Sequence, residues 1–403
     1  MIEIMIIILI VVELYACFRY RDLISPAVLH NIMWIVAGIV AITMVDDKNI
    51  ENVAILVIII GSIFFQIGFS ISLRIKLKNN FTNEEVKVNE QATRFLVMVV
   101  FAVAIPVIVQ YIMYLRSAGS SMYDMLQSTE ENLNLPSMFD YFRRIVQYLS
   151  IAMLICYWKS EYKQAKRIKK YVYLLLGLAI LSAISVPTRN GILFFLLPLI
   201  VAFIATHDIS NKKICIIGIC SVVGFMMVFY WISLGKYWYL YKNASSSSSI
   251  IQNEIRTYLS GGIVAFLENL KKHSFTDGGS NTFRFFIAIG DRVFKSNHAV
   301  KLVKEFVDIG NGTTTNVFTF YDFYVRDFGC LYAILMQFIY ACIHGIAYKQ
   351  TKKGNLLQIY FFAFLSYPLI MQFFQDQYMS LLSTWIQIII VGVFIFKISK
   401  MVK

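Results

Sequence analysis

Apolar residues in this chain fall in long blocks. Uncharged runs occupy 23–45, 52–73, 95–115, 214–235, 328–348, 354–375 and 377–396, each close to the roughly 20 residues a helix needs to cross bilayer hydrocarbon. Shorter runs at 171–188 and 190–207 touch at Arg189, and one at 139–158 carries Arg143 and Arg144 near its start. The first run, 2–18, is interrupted by Glu13. It has no basic leading region and no small-residue cleavage site after it, so it reads as a helix rather than a signal peptide. Lipid offers the backbone no hydrogen-bond partners, which makes every run a helix. The expected fold class is an all-α polytopic membrane protein with about 11 transmembrane helices. Spans 1–8 lie in 1–235, a large loop covers 236–327, and spans 9–11 lie in 328–403.

Composition agrees. Of 403 residues, 58% are hydrophobic and only 15% charged, against about half and about a quarter in soluble proteins. A soluble enzyme, a disordered chain and a disulfide-stapled domain are excluded. The six cysteines sit in or beside apolar runs without CxxC spacing and read as small packing residues.

The net charge of +13 is a topology signal. Of the 37 basic residues, 21 fall in one alternating set of polar segments, from Arg19 and Arg21 to Lys397, Lys400 and Lys403. The short loops of the other set hold only Lys48, Arg116, Arg143, Arg144 and Arg189. The positive-inside rule makes the rich set cytoplasmic, with the N-terminus outside and the C-terminus inside. The charge then faces anionic headgroups, and no nucleic-acid partner is expected.

Segment 236–327 is too long to be an idle connection, so function is expected there. A serine run, Ser245 to Ser249, reads as a flexible linker. Three mixed stretches, 251–270, 282–294 and 298–307, read as helices lying in the membrane interface. The sequons at Asn243 and Asn311 carry no weight without a eukaryotic secretory route.

No P-loop, dinucleotide fingerprint, HExxH or metal-ligand spacing occurs, so no cofactor is expected. An external site would see no cytosolic nucleotide and must use an already activated substrate. Arg189, in the turn Pro187 to Gly191, together with Arg256, Arg284, Arg292 and Arg326, has the planar fork that grips a diphosphate. Residues 313–329 interleave Asn316, Tyr321, Asp322, Tyr324, Arg326 and Asp327 with aromatic rings, a pattern suited to a sugar site. Asp327 or Asp322, or one of the external histidines His298 and His273, is the expected general base on a sugar hydroxyl. Asp327 also reads as the N-cap of the following span. His30 and His344 lie within spans, and His344 reads as structural.

The runs Tyr258 to Phe266, Thr313 to Thr319 and Tyr324 to Gly329 resemble those of the Wzy-type oligosaccharide repeat-unit polymerases of bacterial O-antigen, lipopolysaccharide and capsule synthesis. Thr188-Arg189-Asn190-Gly191 is similar to that family's arginine turn, often Ser-Arg-Gly, with one extra residue. The resemblance implies a GT-C-like fold in the bacterial inner membrane. It implies transfer of a growing glycan from undecaprenyl diphosphate to the non-reducing end of a new unit on the same carrier. A flippase and a chain-length regulator would be partners. The alternatives are an O-antigen ligase-like transferase, of the same class, and a lipid-oligosaccharide flippase. Flippases usually pair short loops with charged mid-span cavities.

Overall fold

In the computed structural model, residues 1–44, 51–76, 87–118, 137–186, 188–207, 209–241, 247–270, 278–300, 304–310 and 313–398 are described. His273 and the sequon asparagines Asn243 and Asn311 lie outside them.

The described residues form fourteen α-helices in the order α1 Ile2–Tyr20, α2 Pro26–Ile42, α3 Asn52–Arg74, α4 Glu90–Ala118, α5 Ser137–Lys159, α6 Tyr162–Ile184, α7 Arg189–Thr206, α8 Asn211–Tyr241, α9 Ser247–Asn269, α10 Arg284–Phe294, α11 Phe320–Phe328, α12 Cys330–Thr351, α13 Leu356–Met371 and α14 Leu382–Val393. Among the described residues, each of the eleven apolar runs contains a helix. Five of these helices, α3, α4, α7, α8 and α12, are long and apolar enough to cross a bilayer by length and composition, and α2, α13 and α14 are shorter apolar helices. The chain is a helical membrane protein.

Three details depart from expectation. Residues 298–300 and 304–307 are not helical; instead Val307–Asp308 pairs antiparallel with Thr314–Thr315. A two-residue ladder wins because Asp308 bends the chain back, its Oδ1 accepting the Gly310 N–H at 2.9 Å. Ser247 to Ser249 are the first turn of α9 rather than linker. Residues 320–327, read as loop, and Phe328, read as the start of a span, together form α11.

The chain divides into two compact units. The first comprises 1–78, 252–349 and 365–385. There α1, α2 and α3 pack on one another, and Trp34, Phe65, Phe69, Phe266, Phe320, Tyr321 and Tyr324 are fully buried. The Tyr321 ring lies 5.2 Å from Trp34 and crosses α3 at Gly61, where a Cβ would collide with its hydroxyl and ring. The second unit comprises 79–251, 350–364 and 386–403, with α4 to α7 packed together. Its core includes Tyr148, Phe195, Phe229 and Tyr360; Phe364 meets Tyr148 at 5.4 Å and Tyr360 at 4.9 Å.

Candidate functional site

Helix α11 is built to hold polar groups out of water. Thr319 caps its start, the hydroxyl accepting the Asp322 N–H at 3.5 Å. The Phe320 N–H donates to the Gln372 carbonyl at 2.8 Å. Gly329, at φ 83°, ends it in a conformation that side chains rarely adopt and lets α12 start one residue later. All residues from Phe320 to Asp327 are buried. A helix buried on every side must satisfy its polar side chains internally, and each does so differently.

Asp322 and Arg326, one turn apart, form an ion pair: Nε donates to Oδ2 at 2.7 Å. Arg326 Nη1 donates to Glu305 Oε1 at 2.8 Å, and the guanidinium lies 4.6 Å from the Phe318 ring centroid. Its Nη2 is buried without a hydrogen-bond partner. Burial works against the charged guanidinium, but Asp322 and Glu305 more than offset it and keep Arg326 firmly protonated. Burial also opposes the Glu305 carboxylate, yet the Arg326 hydrogen bond holds it below the usual range.

Asp327 faces a different turn. Its Oδ1 accepts from Asn281 N at 3.0 Å and Nδ2 at 2.9 Å, and its Oδ2 from Thr282 N at 2.6 Å and Oγ1 at 2.5 Å. Four donors converge on a carboxylate only 1% exposed. The span after it begins at Cys330, so Asp327 is not its N-cap; it fastens the turn before α10. Tyr324 donates its hydroxyl to Asp376 Oδ1 at 2.9 Å and meets the Tyr340 hydroxyl at 2.9 Å.

These contacts shape a small recess of about 20 Å³, room for a water or a single small group. Arg284 and Lys304 bring positive charge to its wall, and Asp322 a carboxylate. Asn281, Asn316, Thr319 and Gln375 supply neutral polar groups, and Phe318 and Phe323 aromatic faces. Arg284 is held by its Nε donating to the Val300 carbonyl at 2.6 Å, and Lys304 by donating to Asn281 Oδ1. With Arg326 behind Asp322, three cations face two carboxylates, an arrangement that favours an oxyanion beside hydrogen-bonding groups.

The other expected residues fall elsewhere. In the first unit, Arg256 and Arg292 are exposed. Tyr258 packs on the Phe374 ring at 4.6 Å, and Tyr321 is spent in the core. His298 caps the end of α10: its backbone N–H donates to Asp291 Oδ2 at 2.8 Å, and its Nδ1 lies 3.1 Å from Oδ1. The Ser296 hydroxyl, with the His298 and Ala299 groups, holds the Asp291 pKa down to about 2. Helix α10 itself buries nothing and exposes Phe286, Ile289, Val293 and Phe294.

In the second unit, Arg189 opens α7 behind the Thr188 cap, whose hydroxyl accepts the Gly191 N–H at 3.3 Å. Its Nη2 donates to Ser233 Oγ at 2.9 Å, and its guanidinium lies 3.9 Å from the Phe229 ring centroid. Arg143 sits by the same turn, 3.6 Å from where a Cβ on Gly191 would stand, and pairs with Asp140 at 2.8 Å. It is only 8% exposed, and its Nε has no hydrogen-bond partner.

Sequence reasoning missed Lys304, Glu305, Asn281 and Asp376 as parts of this machinery. It also missed a buried polar chain in the first unit. His30 contacts Gln337; Gln337 donates to Gln372 at 2.8 Å; Gln372 donates to Tyr378 at 3.2 Å; and Tyr378 meets His344 at 2.8 Å. The only available signal was polar residues inside apolar runs.

Set against known proteins, the chain is 30% identical over 131 residues to the Escherichia coli (strain K12) protein named "Putative O-antigen polymerase". The match covers 32% of this chain and 32% of that relative. It agrees with the resemblance read from the loop and turn motifs. No protein-family profile matches the chain, and no solved structure does.

Proposed function

We propose that this protein is a membrane glycosyltransferase that polymerises lipid-linked oligosaccharide repeat units in a bacterial cytoplasmic membrane. The eleven apolar helices would span the bilayer, with the N-terminus and the 236–327 segment outside and the C-terminus inside. Helix α10 would lie in the interface. The donor is a glycan on undecaprenyl diphosphate, and the acceptor is a single unit on the same carrier.

The observation that carries this reading is the recess beside α11, where Arg284, Lys304 and buried Arg326 surround Asp322 among polar and aromatic groups. The acceptor hydroxyl attacks the anomeric carbon, the bond to the diphosphate breaks, and undecaprenyl diphosphate departs with the electron pair. Cations fixed before the reaction stabilise the charge developing on the leaving diphosphate. Asp322, on the recess wall, receives the hydroxyl proton. Asp327 positions the Asn281 turn. Arg189, held by Ser233 and the Phe229 ring, is a second candidate anion-binding group. The reading is also supported by the partial similarity to the E. coli protein.

The test is deletion of the gene in its host, with lipid-linked and surface glycans resolved by gel. A polymerase defect leaves single repeat units displayed outside. Loss of every external unit would make the protein a flippase, and intact ladders left unattached would make it a ligase.

A further inference from the structure

Away from the recess, a groove of about 680 Å³ runs between α1 and α3 within the first unit. Val11 and Tyr15 on α1, with Ile63 and Ile67 on α3, line its length; Arg19 and Arg74 stand together at one end. From Ile63 to Arg74 the helix rises about 16 Å. That is close to half of the roughly 30 Å hydrocarbon thickness, so the groove is one leaflet deep. Its arginine end belongs to the Lys/Arg-rich set of segments. Lys349 adds charge there, donating to the Leu73 and Ile75 carbonyls at 2.5 and 2.8 Å. The acidic neighbour at that end, Asp22, accepts the Tyr348 hydroxyl at 2.6 Å.

Ser70 lies one turn before Arg74 on α3, its Oγ 2.6 Å from the Oη of Tyr20, the residue after Arg19, and both residues line the groove. One hydroxyl donates to the other, so the pair retains one proton for a third acceptor. Along α3 the groove therefore presents a cation, then a hydroxyl about 6 Å deeper, then a lining that is apolar apart from Gln66, whose Nε2 donates to the Ala27 carbonyl at 2.7 Å.

We infer that this groove is a binding site for an anionic glycerophospholipid. The phosphate sits between Arg19 and Arg74, an acyl ester carbonyl accepts from the Tyr20–Ser70 pair, and one acyl chain runs along Val11 and Ile63. The ester distinguishes this occupant from a polyprenyl phosphate, whose chain below the phosphate is hydrocarbon with no acceptor for that hydroxyl. The site is separate from the recess and does not depend on the proposed polymerase activity.

Native mass spectrometry of the full-length protein tests it, with dioleoyl phosphatidylglycerol, dioleoyl phosphatidylcholine and undecaprenyl phosphate titrated separately. Phosphatidylglycerol is expected to bind the wild type more tightly than phosphatidylcholine. The Arg19→Gln/Arg74→Gln double variant is expected to lose about 30-fold of that affinity, from two surface cations, with phosphatidylcholine unchanged. Tyr20→Phe/Ser70→Ala should lose part of the phospholipid affinity and none for undecaprenyl phosphate. Both arginines are exposed, so the fold should survive; Ile67→Trp, filling the groove, should block phosphatidylglycerol by an independent route. Equal phosphatidylglycerol binding by the wild type and the double arginine variant overturns the site. So does displacement of phosphatidylglycerol by equimolar undecaprenyl phosphate.

Discussion

Arg326 reaches back one helical turn to place its Nε 2.7 Å from Asp322 Oδ2, with both side chains almost wholly withdrawn from water, 9% and 1% exposed. A pair so placed is held by geometry as much as by charge. Removing one partner leaves the other's charge buried, at a cost of about 3–5 kcal/mol.

Arg326→Ala should therefore lower both stability and activity. Arg326→Lys is the cleaner probe, since it keeps the charge and loses the planar fork. Glycan elongation is expected to fall at least about 10-fold, from the loss of about 1.5–3 kcal/mol of charged hydrogen bonding. Ladder length on gels, normalised to membrane-inserted protein, measures it. Full-length ladders in Arg326→Lys would remove the fork from the mechanism.

Asp327 and Asp322 should separate. Asp327→Ala strands four donors on the Asn281–Thr282 turn, and about 3 kcal/mol of stability is expected to go with them. Thermal unfolding in detergent reads this. Asp322→Asn removes a charge partner of buried Arg326, so it should stop elongation and also lower stability, whereas Asp327→Asn should retain part of the elongation, each ladder being normalised to membrane-inserted protein. The reverse ranking would make Asp327 the base.

Gly61→Ala should loosen α11 from α3. The added methyl meets the Tyr321 hydroxyl and ring, and overpacking of this kind costs about 1–3 kcal/mol. Tyr321→Phe removes the nearest atom but leaves the ring carbons, so the double variant should recover only part of the loss. Additive melting shifts would mean that the two positions do not touch.

Burial pushes the Asp376 carboxyl, in the connection between α13 and α14, up to about 6. A carboxyl whose folded pKa lies above its unfolded value of 3.8 keeps its proton more tightly when folded. Stability should then decline as pH rises from about 4 through about 6, and level off above. The whole step is on the order of 2–3 kcal/mol. Asp376→Asn should flatten this profile, as followed by melting temperature against pH. An unchanged slope would assign the titration elsewhere.

Arg189 is pinned by Ser233 and the Phe229 ring. Arg189→Ala should abolish elongation while insertion stays normal, and Ser233→Ala should have a much milder effect. Equal effects on melting and on elongation in the two variants would reduce Arg189 to a packing residue.

Much of this molecule is written in its chemistry of solvation. Bilayer thickness and the impossibility of unpaired backbone in lipid turn each apolar block into a helix, so all eleven runs could be placed without coordinates, as could the aromatic and arginine content of 313–329. The pairings could not. Residues 320–328 do place Asp322, Arg326 and Asp327 on one side of a helix, but nine residues beside a glycine are too short to stand out from the loop, and the burial of that polar side comes only from packing. Arg326 finds Glu305 21 residues away, Tyr324 finds Asp376 52 residues away, and Asp327 turns from an expected cap to Asn281 46 residues back. Such partners are chosen by which loops meet once the helices have packed, and no local pattern encodes that meeting. The same distinction explains Val307, read as the end of a helix: its pairing with Thr315, outside its local sequence pattern, makes it strand.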